Sequence, residues 1–211
     1  ATPGAERGEW AAFEELDLQI QALGSLMRVE PARAVPILKQ VALAADDEDQ
    51  ARRAIFVLMQ SNRRDARSAV AEIARTGPEP VTLAAVKQLG LVRSAEAARL
   101  LTELYRSGTA PVKTQVIRAL GSARQPLSLM RIARTESERA LRESAVAALG
   151  QAGARTQLAS LYRQRSELRL PVIAALFTAG GMAELRQIAR TERDATLRAA
   201  ANAKLRLLSE P

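Results

Sequence analysis

A segment of this chain occurs twice in similar form. Residues 131–150 read RIARTESERALRESAVAALG, and residues 187–206 read QIARTERDATLRAAANAKLR, at an offset of 56. Related segments recur along the chain, and periods of about 20–50 residues are typical of arrays in which each repeat is one supersecondary unit. The repeat is marked by a column of leucines spaced 27 to 35 residues apart: Leu23, Leu58, Leu89, Leu120, Leu149, Leu176 and Leu205.

The residues around this leucine column have the periodicity of an amphipathic helix. An apolar residue stands three positions before the leucine in all units except the last, which has Asn202, and this spacing places both positions on one helical face. Glycine follows the leucine at Gly24, Gly90, Gly121 and Gly150, where we expect it to lie just past the helix C-terminus. The apolar partners are Ile20, Ile55, Val86, Ile117, Val146 and Ile173.

A second apolar stripe follows in most units and predicts a second helix. The residue after its last anchor alternates between alanine and tyrosine, so the offset of 56 corresponds to two units. The anchors are Ile73, Leu104, Ile132, Leu161 and Ile188, preceded three residues earlier by Val70, Leu101, Leu129, Leu158 and Leu185, and the alternating residues are Ala74, Tyr105, Ala133, Tyr162 and Ala189.

These patterns predict an all-α fold, an α-solenoid of about six helix pairs with a terminal capping helix. Residues 1–9 are expected to be flexible and residues 10–208 to form a single repeat domain. Trp10 is expected to cap the first pair, and Asn202 and Lys204 fit a last helix with nothing stacked beyond it. The predicted units span residues 10–44, 48–75, 79–106, 110–134, 138–163 and 167–190, with the terminal helix at 194–208.

Composition excludes several kinds of chemistry. The chain has no cysteine and no histidine, so thiolate nucleophiles, Ser-His-Asp triads and histidine-based metal sites are absent. The acidic run at residues 46–49 lacks the spacing of a calcium loop and is interpreted as capping the following helix. The longest uncharged run, residues 170–183, is too short to cross a bilayer. We predict no catalytic residue, no cofactor and no metal.

The runs LRESAVAALGQAG, VKTQVIRALG and LYRSGTAPVKTQVIRALG resemble HEAT repeats. They are most similar to the short variety of about 30 residues found in phycobilisome-lyase-type arrays and in bacterial proteins of unassigned function, and the resemblance covers residues 11–208. It implies a binding scaffold and not an enzyme. Two enzymatic relatives do not fit: HEAT-like deoxyhypusine hydroxylases hold iron through histidine, and HEAT-like alkylpurine DNA glycosylases use aromatic residues in the groove. A lyase-like or accessory role in an enzyme system is an alternative.

The most regular polar feature is a row of arginines, each two residues after a second-helix anchor and so about 200° around the helix from the core. They could serve as cations at helix C-termini that pair with acids such as Glu136 and Glu192. They could also form a basic ridge that binds carboxylates or phosphates. This arginine row, the candidate partner-binding site, consists of Arg75, Arg106, Arg134, Arg163 and Arg190.

A second set of cations precedes the first-helix leucine by seven residues in the last four units. We interpret these as ties between neighbouring units through hydrogen bonds to turns, with anion attraction as the alternative. This second set consists of Lys113, Arg142, Arg169 and Arg198.

The chain has a net charge of +8, with 27 arginines and 4 lysines, and such a balance favours acidic partners. The outward positions of the second helices, including Glu72, Glu103, Arg131, Ser160 and Gln187, are mixed and small, whereas a single-strand nucleic-acid channel usually offers aromatic platforms. We therefore predict a protein or peptide partner, acidic or of mixed charge. Sequence-independent nucleic-acid binding is the alternative.

Overall fold

The computed structural model of the chain describes residues 18–45 and 48–209. These residues form α-helices joined by short turns, with one 3-10 turn at Ser166–Leu168. Within this part of the chain, no helix is both long and apolar enough to cross a membrane. The predicted all-α fold of paired helices is confirmed. The chain divides into two compact units, residues up to Gln88 and residues from Leu89 onward.

Unit 1 contains α1 (residues 18–29), α2 (Pro31–Leu43), α3 (Glu48–Met59), α4 (Arg64–Thr76) and most of α5 (Glu79–Leu89). Helix α2 packs against both α3 and α4, and α3 packs against α4. Their core is aliphatic because the repeat places one apolar stripe on each helix. The largest side chains without solvent exposure in this unit are Leu38, Ile55, Leu58 and Ile73.

Unit 2 contains α6 (Ala95–Ser107), α7 (Ala110–Ser122), α8 (Pro126–Thr135), α9 (Arg139–Gln151), α10 (Arg155–Gln164), α11 (Arg169–Thr178), α12 (Met182–Thr191) and α13 (Ala195–Ser209). The first helices of successive pairs pack in order, α7 on α9, α9 on α11 and α11 on α13. The second helices α8, α10 and α12 lie against them.

The predicted core stripes are buried in both units. The apolar partner of each leucine, from Ile20 to Ile173, is buried, and every second-helix anchor has at most 7% exposure. In the last helix Asn202 is exposed, and the Lys204 ammonium lies 4.9 Å from the centre of the Phe177 ring. The polar residue that the sequence places in the core column of this helix, Asn202, therefore lies at the surface.

The prediction that glycine lies just past the first helix is wrong for Gly24, Gly121 and Gly150, which are all inside helices. At two of them the missing side chain lets the next first helix approach closely. A Cβ added at Gly150 would lie 2.8 Å from the Ala175 carbonyl oxygen, and one at Gly121 would lie 3.2 Å from the Ala148 Cβ. These glycines therefore set the spacing of successive first helices.

The left-handed residue that ends these helices comes three positions later. Gly153 has φ 71° and Gly180 has φ 67°, and Arg124 takes the equivalent place in the preceding unit with φ 53°. Beyond Gly153, the Ala154 N–H donates to the Leu149 carbonyl at 3.0 Å. This six-residue bond is typical of a Schellman helix end.

Some predicted features lie outside the described residues, namely the segment 1–9, the capping Trp10 and the first two acids of the run at 46–49. The other two acids, Glu48 and Asp49, are in the first turn of α3. Glu48 forms an ion pair with Lys87 of α5, and Asp49 accepts a bond from Arg52 at 3.2 Å. Carboxylates in a first helical turn favour the positive end of the helix dipole.

Candidate functional site

The arginine row lies on the second helices, as its spacing predicts. Each member is in the last turn of its helix and each is exposed, Arg75 on α4 in unit 1 and the other four on α6, α8, α10 and α12 in unit 2. A cation in the last turn is favourable because the helix dipole is negative at that end. The helix dipole therefore explains why these arginines are in the last turns, and it is compatible with a role of the same arginines in binding a partner.

Bonds between helix ends bring the four members in unit 2 next to one another. The Tyr105 hydroxyl on α6 donates to Glu136 after α8 at 2.5 Å, and the Tyr162 hydroxyl on α10 donates to Glu192 after α12 at 2.6 Å. Between them, the Arg134 guanidinium of α8 donates to the Gln164 amide oxygen of α10. The C-terminal ends of α6, α8, α10 and α12 are therefore adjacent in series.

Glu136 shares its two carboxylate oxygens between two elements. One oxygen accepts the Tyr105 hydroxyl, and the other accepts the backbone N–H groups of Ser137 at 2.8 Å and Glu138 at 3.1 Å. The Tyr105 hydrogen bond and these backbone bonds lower the pKa of Glu136 to about 2. Burial and the bond to Glu136 raise the pKa of the Tyr105 phenol. We call this arrangement a Tyr-Glu clasp.

The same clasp is present one repeat of 56 residues later. Glu192 accepts the Tyr162 hydroxyl through one oxygen, and the N–H groups of Arg193 and Asp194 through the other. The Tyr162 bond lowers the pKa of Glu192. Glu136 and Glu192 therefore bind tyrosine and backbone donors, and the interpretation that they also pair with the arginine row stays a prediction.

The second set of cations is engaged within the repeats. Arg142 donates to the carbonyl oxygens of Glu136 at 3.0 Å and Ser137 at 2.6 Å, and Arg198 donates to that of Glu192 at 3.0 Å. Arg169 donates to the Tyr162 carbonyl and lies 5.4 Å from its ring centre, while the Lys113 ammonium is 4.0 Å from a Glu136 oxygen. The bonds of Arg142 and Arg198 agree with the interpretation as ties between neighbouring units through hydrogen bonds to turns.

A concentration of positive charge on three second helices was not predicted from the sequence. Helices α8 and α10 contain no acidic residue, and the single acid of α12, Glu184, is half-buried. Helix α6, by contrast, carries Glu96 and Glu103. The missed signal is the absence of acids from PLSLMRIART and RTQLASLYRQ. We call the exposed arginines of α8, α10 and α12 the basic face: Arg131, Arg134, Arg155, Arg163, Arg186 and Arg190.

Unit 1 has a shallow recess of about 840 Å³ between α2 and α4. Its floor includes Val35 and Ala69, and the Lys39 ammonium bonds to a Glu72 oxygen at 2.6 Å across it. The small side chains of Ala32, Ser68 and Ala69 are among those that line it. Among the described residues, no three His, Cys, Asp or Glu side chains are grouped to hold a metal ion.

Part of the chain matches a known family profile. Residues 35–121 match the profile of the family described as HEAT repeats. None of the curated proteins compared with the chain matches it significantly. A crystal structure of an engineered protein is similar at 18% sequence identity with a TM-score of 0.37, over 82% of this chain and 95% of that one.

Proposed function

This chain is a HEAT-repeat protein, and we propose that it is a non-enzymatic scaffold that binds a partner protein or peptide on the exposed surface of its second helices. HEAT repeats are generally protein-interaction scaffolds, since stacked helix pairs present a long continuous surface. The candidate contact residues are the arginine row. Their role is to steer the partner and fix its position.

The observation that carries this proposal is the contrast between the two sets of cations. Arg142 and Arg198 donate to backbone carbonyls in turns, and Arg169 donates to the Tyr162 carbonyl of α10, which explains them as structural residues. The arginine row projects from the surface, and in unit 2 its members occupy adjacent helix ends. A row of exposed planar donors is suited to binding carboxylates on another molecule.

Nucleic-acid binding is the second candidate, and the absence of acids from α8 and α10 favours it. Against it, the aromatic residues on the second helices of unit 2 are Tyr105 and Tyr162, and both are held in Tyr-Glu clasps. Single-stranded nucleic acids usually bind by stacking bases on exposed aromatic rings in addition to phosphate contacts. A protein partner requires no such platform.

Site-specific photocrosslinking tests this proposal. Exposed Arg131 or Gln187 on the second helices is replaced by benzoylphenylalanine, with exposed Ala147 or Ala174 on the first helices as controls. Each variant is irradiated in a lysate of the source cells and treated with protease or nuclease. We expect discrete adducts at positions 131 and 187, sensitive to protease alone. Nuclease-sensitive adducts, or equal yields at the control positions, would contradict a protein-binding surface on the second helices.

A further inference from the structure

Resting on the proposed function, we infer that the basic face binds an acidic polypeptide segment in an extended conformation, with carboxylates over Arg134, Arg163 and Arg190. The inference assigns a chemical class of partner to one part of the second-helix surface. It depends on three properties of this face: the excess of arginines over carboxylates on its helices, the adjacency of its helix ends, and the small side chains beside the arginines.

The charge of the basic face is not balanced by its own helices. Arg134 donates to Gln164, which is neutral, so its charge remains uncompensated by that bond. Helices α8 and α10 supply no carboxylate, and Glu184 of α12 is half-buried. The nearest second helix on the N-terminal side, α6, has Glu96 and Glu103 beside its arginines. Clustered charge of one sign attracts oppositely charged segments and steers their approach.

The adjacency of the helix ends fits an extended segment. Side-chain bonds from Arg134 to Gln164 and from Tyr162 to Glu192 join successive second helices at their C-terminal ends, so the arginines at these ends follow one another in series. A polyproline-type segment rises about 3.1 Å per residue with three residues per turn, so every third side chain points the same way at intervals of about 9 Å. A segment with acidic residues at every third position would therefore present its carboxylates along one side, toward the successive helix ends.

Side chains beside the arginines leave room for a peptide backbone. The middle of α10 presents Ala159 and Ser160, and the first turn of α12 presents exposed Ala183. At the opposite end of α8 from Arg134, Leu127 is 77% exposed. A segment with carboxylates along one edge and an apolar residue on the other could contact both Arg134 and Leu127, which would fix its orientation across the helices.

Fluorescence anisotropy with defined probes tests the inference on the full chain. One probe is a labelled 13-residue peptide with glutamate at every third position and leucine, alanine and serine between them. A second has lysine in place of each glutamate, and a third is a single-stranded DNA oligonucleotide of matched charge. The face variant carries Arg134→Ala, Arg163→Ala and Arg190→Ala. A charge-matched control carries Arg93→Ala, Arg118→Ala and Arg193→Ala, three exposed arginines outside the basic face.

We expect the acidic peptide to bind the native chain, and the face variant to weaken that binding about tenfold, since three exposed charge pairs are lost. The control variant should change the dissociation constant by less than about twofold. Circular dichroism should show native helix content in both variants. Equal weakening by the control would reduce the effect to net charge and overturn the inference. Tighter DNA binding with the same sensitivity to the face variant would assign the face to nucleic acid instead.

The failure of this inference is distinguishable from the failure of the proposed function. No affinity for the acidic peptide, together with protease-sensitive crosslinks at position 131, would overturn the acidic ligand while leaving a protein scaffold. If the acidic peptide binds but position 131 forms no crosslinks in the lysate, the proposed function is overturned. The affinity of the basic face for acidic peptides would still stand.

Discussion

At Glu136 one side chain joins a second helix to the turn that follows the next one. The carboxylate is 10% exposed, and it accepts the Tyr105 and Ser137 hydroxyls and two backbone N–H groups. Charge-assisted bonds of this kind are stronger than neutral ones because the ionised acceptor polarises each donor. The alternation of alanine and tyrosine in the sequence therefore has a structural basis, because the two units with tyrosine each have a Tyr-Glu clasp.

Removing the clasp hydroxyls should lower stability. Tyr105→Phe and Tyr162→Phe each delete a hydrogen bond to a poorly exposed carboxylate, and we expect each to reduce the free energy of unfolding by about 1 kcal/mol. Urea unfolding followed by circular dichroism measures this. Thr191→Val is the control, because its hydroxyl donates only along its own helix to the Gln187 carbonyl and is exposed.

The contribution of the Tyr105 clasp should depend on pH. The folded-state pKa of Glu136 is about 2 and its ordinary value is 4.5, so its stabilisation is complete above pH 4.5 and is lost as the pH falls toward 2. The stability difference between the native chain and Tyr105→Phe should shrink over that interval. The phenol's pKa is raised, so the same contribution should also diminish above about pH 10. A difference that stays constant from pH 7 to pH 2 would contradict this account of Glu136.

On the scale of the helix, glycine has opposite effects on stability at two equivalent positions of the repeat. Gly150 in α9 has no space for a side chain, because an added Cβ would lie 2.8 Å from the Ala175 carbonyl oxygen. Gly24 is also inside a helix, but an added Cβ there meets only the Val57 Cγ1 at 3.9 Å, which is an ordinary contact. One glycine permits close packing of α9 on α11, whereas the other only weakens its helix.

Alanine substitutions at these two glycines should therefore change stability in opposite directions. We expect Gly150→Ala to lower the free energy of unfolding by about 1–3 kcal/mol through overpacking. Gly24→Ala should raise it by about 0.5–1 kcal/mol, since alanine is the better helix former. Thermal and urea unfolding of both variants test the pair. Stabilisation by Gly150→Ala would mean that α9 and α11 can separate without cost.

These helices also show how far the sequence could predict the fold. The pairing and the core followed from periodicity, since columns such as Leu120 and Ile117 mark the buried face directly. The role of Gly121 and Gly150 could not be predicted in the same way, because glycine inside a helix and glycine after one occupy similar places in a short repeat. Likewise, the partner of Tyr105 lies 31 residues away, and no local spacing rule identifies it.

On the scale of the whole molecule, the charge balance is strongly basic. The chain has 31 lysine and arginine residues against 23 acids and no histidine, so no side chain with an ordinary pKa titrates between about pH 5 and 8. The basic face is not apparent when single positions of the repeat are compared, because the missing acids of α8 and α10 occupy different positions. Summing charge along α8 and α10 would have found it.

Acid should make this chain unusually sensitive to salt. As most of the 23 acids become protonated near pH 3, the net charge rises from +8 toward +31, and repulsion among the arginines destabilises the folded state. Salt screens this repulsion, since the Debye length falls from about 30 Å at 0.01 M to about 10 Å at 0.1 M. We expect the Tm at pH 3 to rise by about 5 °C or more between 0.01 and 0.1 M NaCl.

At pH 7 the change should be smaller, because carboxylates such as Glu143 and Glu167 still pair with Arg139 and Arg165. Calorimetry at both pH values measures these shifts, and a Tm at pH 3 that falls as NaCl is added would show that attraction, not repulsion, dominates the folded state in acid.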